Sequence, residues 1–214
     1  MPVRSATRLM LGIALSWCAF AMAPTTAAAQ QMRNCTVGRV VGTAHLAGAQ
    51  GERRVAAGLA VAADDAVLTQ ADGQVEIICS DGIVVTVGFA THIELASLIV
   101  QEPREKNVLL RLLDGIAGFV VPAKTFRSFG VETPTAVAAV RSTRWLVDTA
   151  SGKSAVFVGE GRVSVTPSAG TDVILDPGEG IDVDAAGKPA TVRQWGPQRI
   201  AAAVARLGFG WGER

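Results

Sequence analysis

The side chains that most often carry catalysis are sparse in this 214-residue chain. His45 and His92 are its two histidines, and neither stands in a motif that joins a base to a serine or cysteine nucleophile. A base must lie within hydrogen-bond reach of the nucleophile that it activates, and no motif in the chain predicts such a contact. We therefore expect no enzymatic activity and no cofactor.

Three short segments look like parts of ligand-binding motifs but lack the residues that would complete them. Ser151–Ser154 reads SGKS, the end of a phosphate loop, yet Val147 stands where that loop needs a glycine. Asp182–Lys188 has two alternating acids but lacks the third ligand and the terminal glutamate of a calcium loop. Gly208–Gly212 opens no helix after a strand, so a dinucleotide site is not predicted either. We expect no metal ligands in the chain.

Arg141 and Arg144 are the most conspicuous charged residues, because they lie inside an apolar, strand-like run. In one uninterrupted strand each face would mix apolar side chains with an arginine, and a buried unpaired charge is costly. A corner at Arg141–Ser142–Thr143 would resolve this conflict and let both guanidinium groups reach solvent. The two arginines are then candidate contacts for an acidic partner surface, although an architectural corner without a binding role is favoured.

The same corner makes a prediction about Ser142. A tight corner of this kind favours a glycine-like backbone conformation, which strains a residue that carries a side chain. We therefore predict that Ser142→Gly raises the melting temperature by relieving strain.

The elements that must hold these residues are short runs of Val, Ile and Leu separated by glycines, which favours an all-β fold. Asp81-Gly82 predicts a hairpin with a type I′ turn. Similar patterns surround Asp114-Gly115, residues 159–161 and residues 177–180. Their unequal spacing leaves two arrangements open, a solenoid-like β body or a sandwich.

The C-terminal segment has a different pattern. Pro197 suits a first helical turn, and Ile200, Val204 and Leu207 follow at helical spacing before Gly208. This pattern predicts a short amphipathic helix that caps the open end of the β body. Partner docking is the alternative, and the flanking aromatic residues Trp195 and Trp211 are candidate contacts for it.

The N-terminus reads as a secretory signal peptide over residues 1–29, with a basic start, an apolar stretch and an Ala-x-Ala site before Gln30. Removing Arg4 and Arg8 turns the formal charge of +1 into −1, which argues against nucleic acid as a partner. We expect a periplasmic or secreted protein with no membrane span after cleavage. The expected domains are a β domain over residues 30–190 and a helical tail over residues 191–214.

Two cysteines remain in the mature chain, Cys35 and Cys79. In an oxidising compartment such a pair predicts one disulfide, and the lack of nearby histidines argues against zinc. Two buried free thiols are the alternative.

Several segments, taken in order, resemble the FecR domain, a periplasmic β-rich module of bacterial iron-uptake regulators and of exported single-domain proteins. The order is VGRVVGTAHLAG, then VEIICSDGIVVTVG, LLRLLDGIAGFVV, TPTAVAAVRSTRWLV, AVFVGEGRVSVT and VILDPGEGIDV. The resemblance extends from about Val37 to Val183. In the family motif Arg-Gly-Thr precedes an aromatic residue, whereas here Ser142 replaces the glycine between Arg141 and Thr143.

The resemblance implies an all-β, solenoid-like fold and a role in protein contacts, with no catalytic residues to carry over. It implies an exported interaction or sensory module that binds another envelope protein. We expect this chain to lack the transmembrane helix and the sigma-factor-binding segment of the iron regulators. A structural envelope protein is the alternative, and a carbohydrate-binding protein is a weaker one.

Overall fold

The computed structural model describes residues 31–101, 107–123, 128–209 and 211, so the expected signal peptide lies outside the described residues. The strands in chain order are β1 Gln31–Met32, β2 Cys35–Val41, β3 Ala44–Gly48, β4 Gly51–Arg54, β5 Ala66–Thr69, β6 Gln74–Cys79, β7 Val84–Val87, β8 His92–Glu94, β9 Val100–Gln101, β10 Asn107–Val121, β11 Ser128–Glu132, β12 Ala136–Val140, β13 Thr143–Ala150, β14 Lys153–Glu160, β15 Val163–Pro167, β16 Val173–Leu175, β17 Glu179–Val183 and β18 Arg193–Gln194. The helices are α1 Ala96–Ile99 and α2 Pro197–Leu207. The fold is therefore mostly β with a short C-terminal helix, as the sequence predicts.

Two open sheets share the long strand β10. Sheet I has the order β4-β3-β5-β8-β10-β11-β12-β15-β16 and contains the first half of β10. Sheet II has the order β2-β6-β7-β10-β13-β14-β17-β18 and contains its second half. Only the pairing of β10 with β11 is parallel among these neighbours.

The two sheets face each other across one apolar core. Phe119 on sheet II lies 5.7 Å from Phe129 on sheet I, measured between ring centroids. Trp145 lies 5.0 Å from Phe119 in the same way, and all three side chains are fully buried. Because side chains alternate along a strand, a strand such as β12 or β15 gives this core one face and leaves the other outside. Of the two arrangements that the sequence left open, the described residues have facing sheets.

The segments around Gly115, Gly161 and Gly178 do not form the hairpins that their sequence pattern predicts. Asp114-Gly115 is not a hairpin: β10 runs through it, and Gly115 with φ of 92° lies where the strand passes from sheet I to sheet II. The segments around Gly161 and Gly178 likewise join a strand of one sheet to a strand of the other. A local sequence pattern shows where the chain bends but not between which sheets it runs.

The hairpin at Asp81-Gly82 is present, since β6 and β7 pair in antiparallel fashion. Its turn is not type I′, because only Gly82 of the two residues has a positive φ. The type I′ geometry occurs at Ser151-Gly152, where φ is 52° and 70° between β13 and β14. SGKS is therefore a turn between strands.

The disulfide between Cys35 and Cys79 is present and joins β2 to β6 at directly opposite positions in sheet II. Both residues are almost fully buried, at 1% and 3% exposure. The pairing predicted from the cysteine count is confirmed.

Helix α2 begins at Pro197 and ends at Leu207, with Gly208 at a φ of 71° after its last turn. The predicted helix is confirmed, but its expected position at an open end of the β body is wrong. Leu207 packs with Ile116 and Leu146 on the outer face of sheet II. Neither described helix has the length and apolar character needed to cross a membrane.

Candidate interaction surface

The outer face of sheet II carries a row of residues that the chain itself covers. Gly118, Leu146, Phe157 and Gly180 are successive cross-strand neighbours on β10, β13, β14 and β17. A Cβ added at either glycine would come closer than 3.0 Å to a tryptophan of the C-terminal segment, Trp211 at Gly118 and Trp195 at Gly180. The two glycines therefore leave the space that the two indole rings fill.

Ion pairs fix the helix over this covered face. Arg206 on α2 pairs with Asp148 on β13, with 3.0 Å between Nη2 and Oδ1. Arg199 pairs with Asp182 on β17, with 3.0 Å between Nη1 and Oδ2, and its guanidinium carbon lies 3.7 Å from the centre of the Trp195 ring. These contacts add cation–π and charge attraction to the apolar packing.

The two tryptophans proposed as partner contacts lie inside this packing. Trp195 is 8% exposed and Trp211 is 5% exposed. Trp195 also stacks on Phe157, with 4.8 Å between ring centroids. Both tryptophans therefore hold the C-terminal segment in place, and they offer little surface to another protein.

The tail beyond α2 is held by Arg39 on β2. Its guanidinium donates to both carboxylate oxygens of Glu76 at 3.0 and 2.9 Å and to the carbonyl of Phe209 at 3.1 Å. The hydrogen bond to Glu76, with the attraction between the two charges, raises the pKa of Arg39 above its ordinary value despite the opposing effect of burial. Arg39 therefore remains charged under all ordinary conditions.

The chain turns at Arg141 and Ser142, between β12 of sheet I and β13 of sheet II. Arg141 is exposed there, but Arg144 is not: its side chain is 17% exposed, pairs with Glu160 at 2.5 Å and lies 6.0 Å from the centre of the Trp211 ring. The expectation that both guanidinium groups reach solvent is wrong for Arg144, because β14 brings Glu160 beside it.

The predicted glycine-like conformation of Ser142 is also wrong. The residues with positive φ other than glycine are Ala90, Ser151 and Phe209, and Ser142 is not among them. The chain reverses here without left-handed backbone at Ser142, so the predicted strain is absent. The positive φ near this corner belongs to Gly161 on the neighbouring crossing, where a Cβ would meet the carbonyl of Ser142.

The outer face of sheet I carries a second cross-strand row, which no described aromatic side chain covers. Its members run from β10 to β16 and are Leu109, Gly130, Ala139, Ser164 and Ile174. The two large side chains at its ends are unusually exposed, 44% for Leu109 and 62% for Ile174. The row therefore has a floor of small residues between two apolar walls.

A groove of about 560 Å³ lies over the part of this row from Ala139 to Ile174, and we call it the sheet I groove. Its lining residues are Ser128, Ala139, Val140, Arg141, Ser142, Arg162, Ser164 and Ile174. The two charged side chains in that lining are both arginines. Arg162 pairs with Asp176 at 2.7 Å and is still 70% exposed. Within the described residues, Arg141 has no carboxylate at ion-pair distance.

The two histidines do not form a site. Nδ1 of His45 lies 3.3 Å from Glu52 across the β3–β4 hairpin, and His92 is half-buried on β8. In the described ranges, no group of three or more His, Cys, Asp or Glu side chains is arranged to hold a metal ion.

Comparison with known proteins identifies a family match for part of the chain. Residues 65–164 match the model of the family described as FecR protein. The chain carries a FecR domain. The FecR match includes β10 to β14, the corner at Arg141 and Ser142, and Ser164 in the groove floor. Ile174 and α2 lie beyond it.

Two crystal structures from Parabacteroides distasonis ATCC 8503 share the fold of the FecR chain, each of a protein described provisionally as an anti-sigma factor. One, at 1.65 Å resolution, is 22% identical with a TM-score of 0.54 and matches over 64% of this chain and 63% of that one. The other, at 2.50 Å resolution, is 22% identical with a TM-score of 0.52 and matches over 63% and 61%. The chain thus spans less than two thirds of these proteins. No curated protein matches it significantly.

The sequence had singled out only part of this surface. Arg141 and Ser142 line the groove, whereas its apolar wall Ile174 and the exposed Leu109 at the other end of the row were not predicted. Their signal in the sequence is an apolar residue on the alternate face of a strand, opposite the core. That signal is weak for Ile174, since its neighbours Val173 and Leu175 are apolar as well.

Proposed function

We propose that this FecR protein is an exported, non-catalytic interaction module of the bacterial envelope, which binds another envelope protein through the outer face of sheet I. One observation carries the proposal. The part of the outer face of sheet II formed by β10, β13, β14 and β17 is filled by α2, Trp195 and Trp211, and Val41 and Ile78 are exposed on its strands β2 and β6. Sheet I presents Leu109 and Ile174 to solvent, and Ile174 at 62% is the most exposed large apolar side chain among the described residues. Exposed apolar side chains rimmed by polar ones are typical of protein interaction sites.

Export is supported by the signal-like N-terminus and by the disulfide. Cys35–Cys79 is a structural bond within sheet II, and such bonds persist in oxidising compartments. The membership of residues 65–164 in the FecR family supports an envelope location as well. We expect the mature chain to begin at Gln30 and to reside in the periplasm or outside the cell.

The first test of this function is formaldehyde crosslinking of intact cells that carry an affinity-tagged chain, followed by purification from the envelope fraction. We expect one dominant envelope protein to be recovered with the mature, oxidised chain. Intact mass measurement of the purified chain checks both the cleavage site and the disulfide. Recovery of the chain alone, in an abundant self-assembled form, would instead favour a structural envelope protein.

A further inference from the structure

The length of the sheet I groove fits a short extended segment. Its lining extends from Ser128 on β11, across β12 and β15, to Ile174 on β16, which are four neighbouring strands. Strands lie about 4.8 Å apart, so the groove is about 14 Å long. An extended chain covers that distance with about four residues, at about 3.3 Å for each.

The shape of the groove indicates what side chain the segment presents. Its floor includes the small residues Ala139 and Ser164, and the large apolar side chain of Ile174 forms one wall. The covered row on sheet II has a comparable design, in which Gly118 and Gly180 lie beneath tryptophan rings of the same chain. A large apolar side chain is therefore the group that a floor of this kind accommodates.

The charged side chains that line the groove indicate which kind of polar side chain the bound segment carries. Arg141 and Arg162 stand along the lining, and no acidic residue lines the groove. Of the two arginines in this lining, Arg162 already pairs with Asp176, and Arg141 has no ion pair with a described residue. An acidic side chain beside Arg141 would make the surfaces complementary in charge.

The same charges argue against a second copy of the chain as the occupant. In a twofold contact the same patch meets itself, so a lining whose two charged side chains are both arginines would meet the same basic lining of the other copy. Like charges placed opposite each other disfavour association.

We propose that the sheet I groove binds an extended segment of an envelope protein, which places an acidic side chain beside Arg141 and a large apolar side chain on Ala139 and Ser164, against Ile174. This inference rests on the proposed function, because it names the chemistry of the partner that the module binds. The occupant is an extended peptide segment of about four residues.

The test places a photo-crosslinking amino acid, p-benzoylphenylalanine, at Ser164 in cells that contain the partner. A matched position on the exposed side of α2, Ala202, serves as the control. Mass spectrometry of the adduct then identifies the crosslinked segment. We expect an adduct at Ser164 but not at Ala202, on an extended segment that contains an acid and a large apolar residue.

Charge exchange tests the assignment of Arg141. We expect Arg141→Glu to lower the yield of the Ser164 adduct about tenfold, which corresponds to about 1.4 kcal/mol. Changing the mapped acid of the partner to arginine should restore the yield. Arg193→Glu, an equal change of charge on the exposed strand β18, should leave the yield unchanged.

The outcomes separate this inference from the proposed function. An adduct on a basic segment, on a helix or on a second copy of the chain would overturn the inference. An unchanged adduct with Arg141→Glu would overturn it too. Co-purification of an envelope partner without any adduct at Ser164 would overturn the inference but leave standing that the chain is an exported module that binds an envelope protein, whereas recovery of no partner would remove both.

Discussion

Arg141 and Arg144 lie three residues apart but have different surroundings. Arg144 lies over sheet II, where Glu160 pairs with it and the Trp211 ring lies 6.0 Å away. Arg141 lies at the exposed turn beside the sheet I groove. The same corner therefore gives one arginine a structural role and leaves the other available to an acidic partner.

The backbone at this corner leads to a prediction opposite to the one made from the sequence. Ser142 has no positive φ, so Ser142→Gly would relieve no strain and would add freedom to the unfolded chain. We expect the free energy of unfolding to fall by about 0.4–1 kcal/mol, measured by urea denaturation. Ser151 has a φ of 52°, so Ser151→Gly serves as the matched control and should not lower stability. A rise in stability with Ser142→Gly would contradict this account.

The residue scale shows what the sequence could predict. Mixing arginines with apolar side chains on both faces of one strand predicted the turn near Ser142, because that argument is local. It could not predict that Arg144 is covered, since Glu160 and Trp211 reach it through pairing of β14 and packing of the tail. Contacts between residues far apart in sequence have no local signal.

At the scale of elements, α2 was the easiest to predict and the hardest to place. Its bounds follow from Pro197, the periodicity of Ile200, Val204 and Leu207, and Gly208, all within the segment itself. Its position depends on Gly118 and Gly180, which are distant in sequence and give the two tryptophans their space. Asp114-Gly115 is wrong in a different way: its local sequence predicts a turn, but the two residues lie within the long strand β10.

The covered face gives a prediction for these glycines. A methyl group at Gly180 would overlap the Trp195 ring, so Gly180→Ala should displace the start of the C-terminal segment. We expect the free energy of unfolding to fall by about 1–3 kcal/mol, with a change in tryptophan fluorescence. No atom lies within 4 Å of the position of a Cβ at Gly196, so Gly196→Ala is the control and should have little effect. Equal stability of the two variants would show that Trp195 does not pack as described.

At the scale of the whole molecule, long-range pairing builds both sheets, and the disulfide adds to it by joining β2 to β6. The two cysteines are 44 residues apart, and closing such a loop stabilises a fold by about 4 kcal/mol in the chain-entropy model. We expect Cys35→Ser/Cys79→Ser to lose stability of this order in thermal and urea unfolding. The double variant should then be insensitive to reductant, whereas the native chain should be destabilised by it. A stability that is equal with and without the bond would contradict this prediction.

The two sheets also differ in what covers their outer faces. The part of sheet II formed by β10, β13, β14 and β17 takes up the chain's own helix and tail, whereas Val41 and Ile78 are exposed on β2 and β6. The outer face of sheet I carries the uncovered row from Leu109 to Ile174. The all-β class and the disulfide could be predicted from composition and cysteine count. The division between a covered and an uncovered face could not, because it depends on which strand faces the tail packs against.

The most direct test of the central claim compares one charge placed on each of these two faces. Ile174→Asp puts a charge on the wall of the sheet I groove, and Gln198→Asp puts the same charge on the exposed side of α2. Both positions are exposed, so both variants should fold and be exported like the native chain. Recovery of the envelope partner is then measured by co-purification. The account predicts a loss of about tenfold or more for Ile174→Asp and no loss for Gln198→Asp, and the reverse order, or no loss in either, would contradict it.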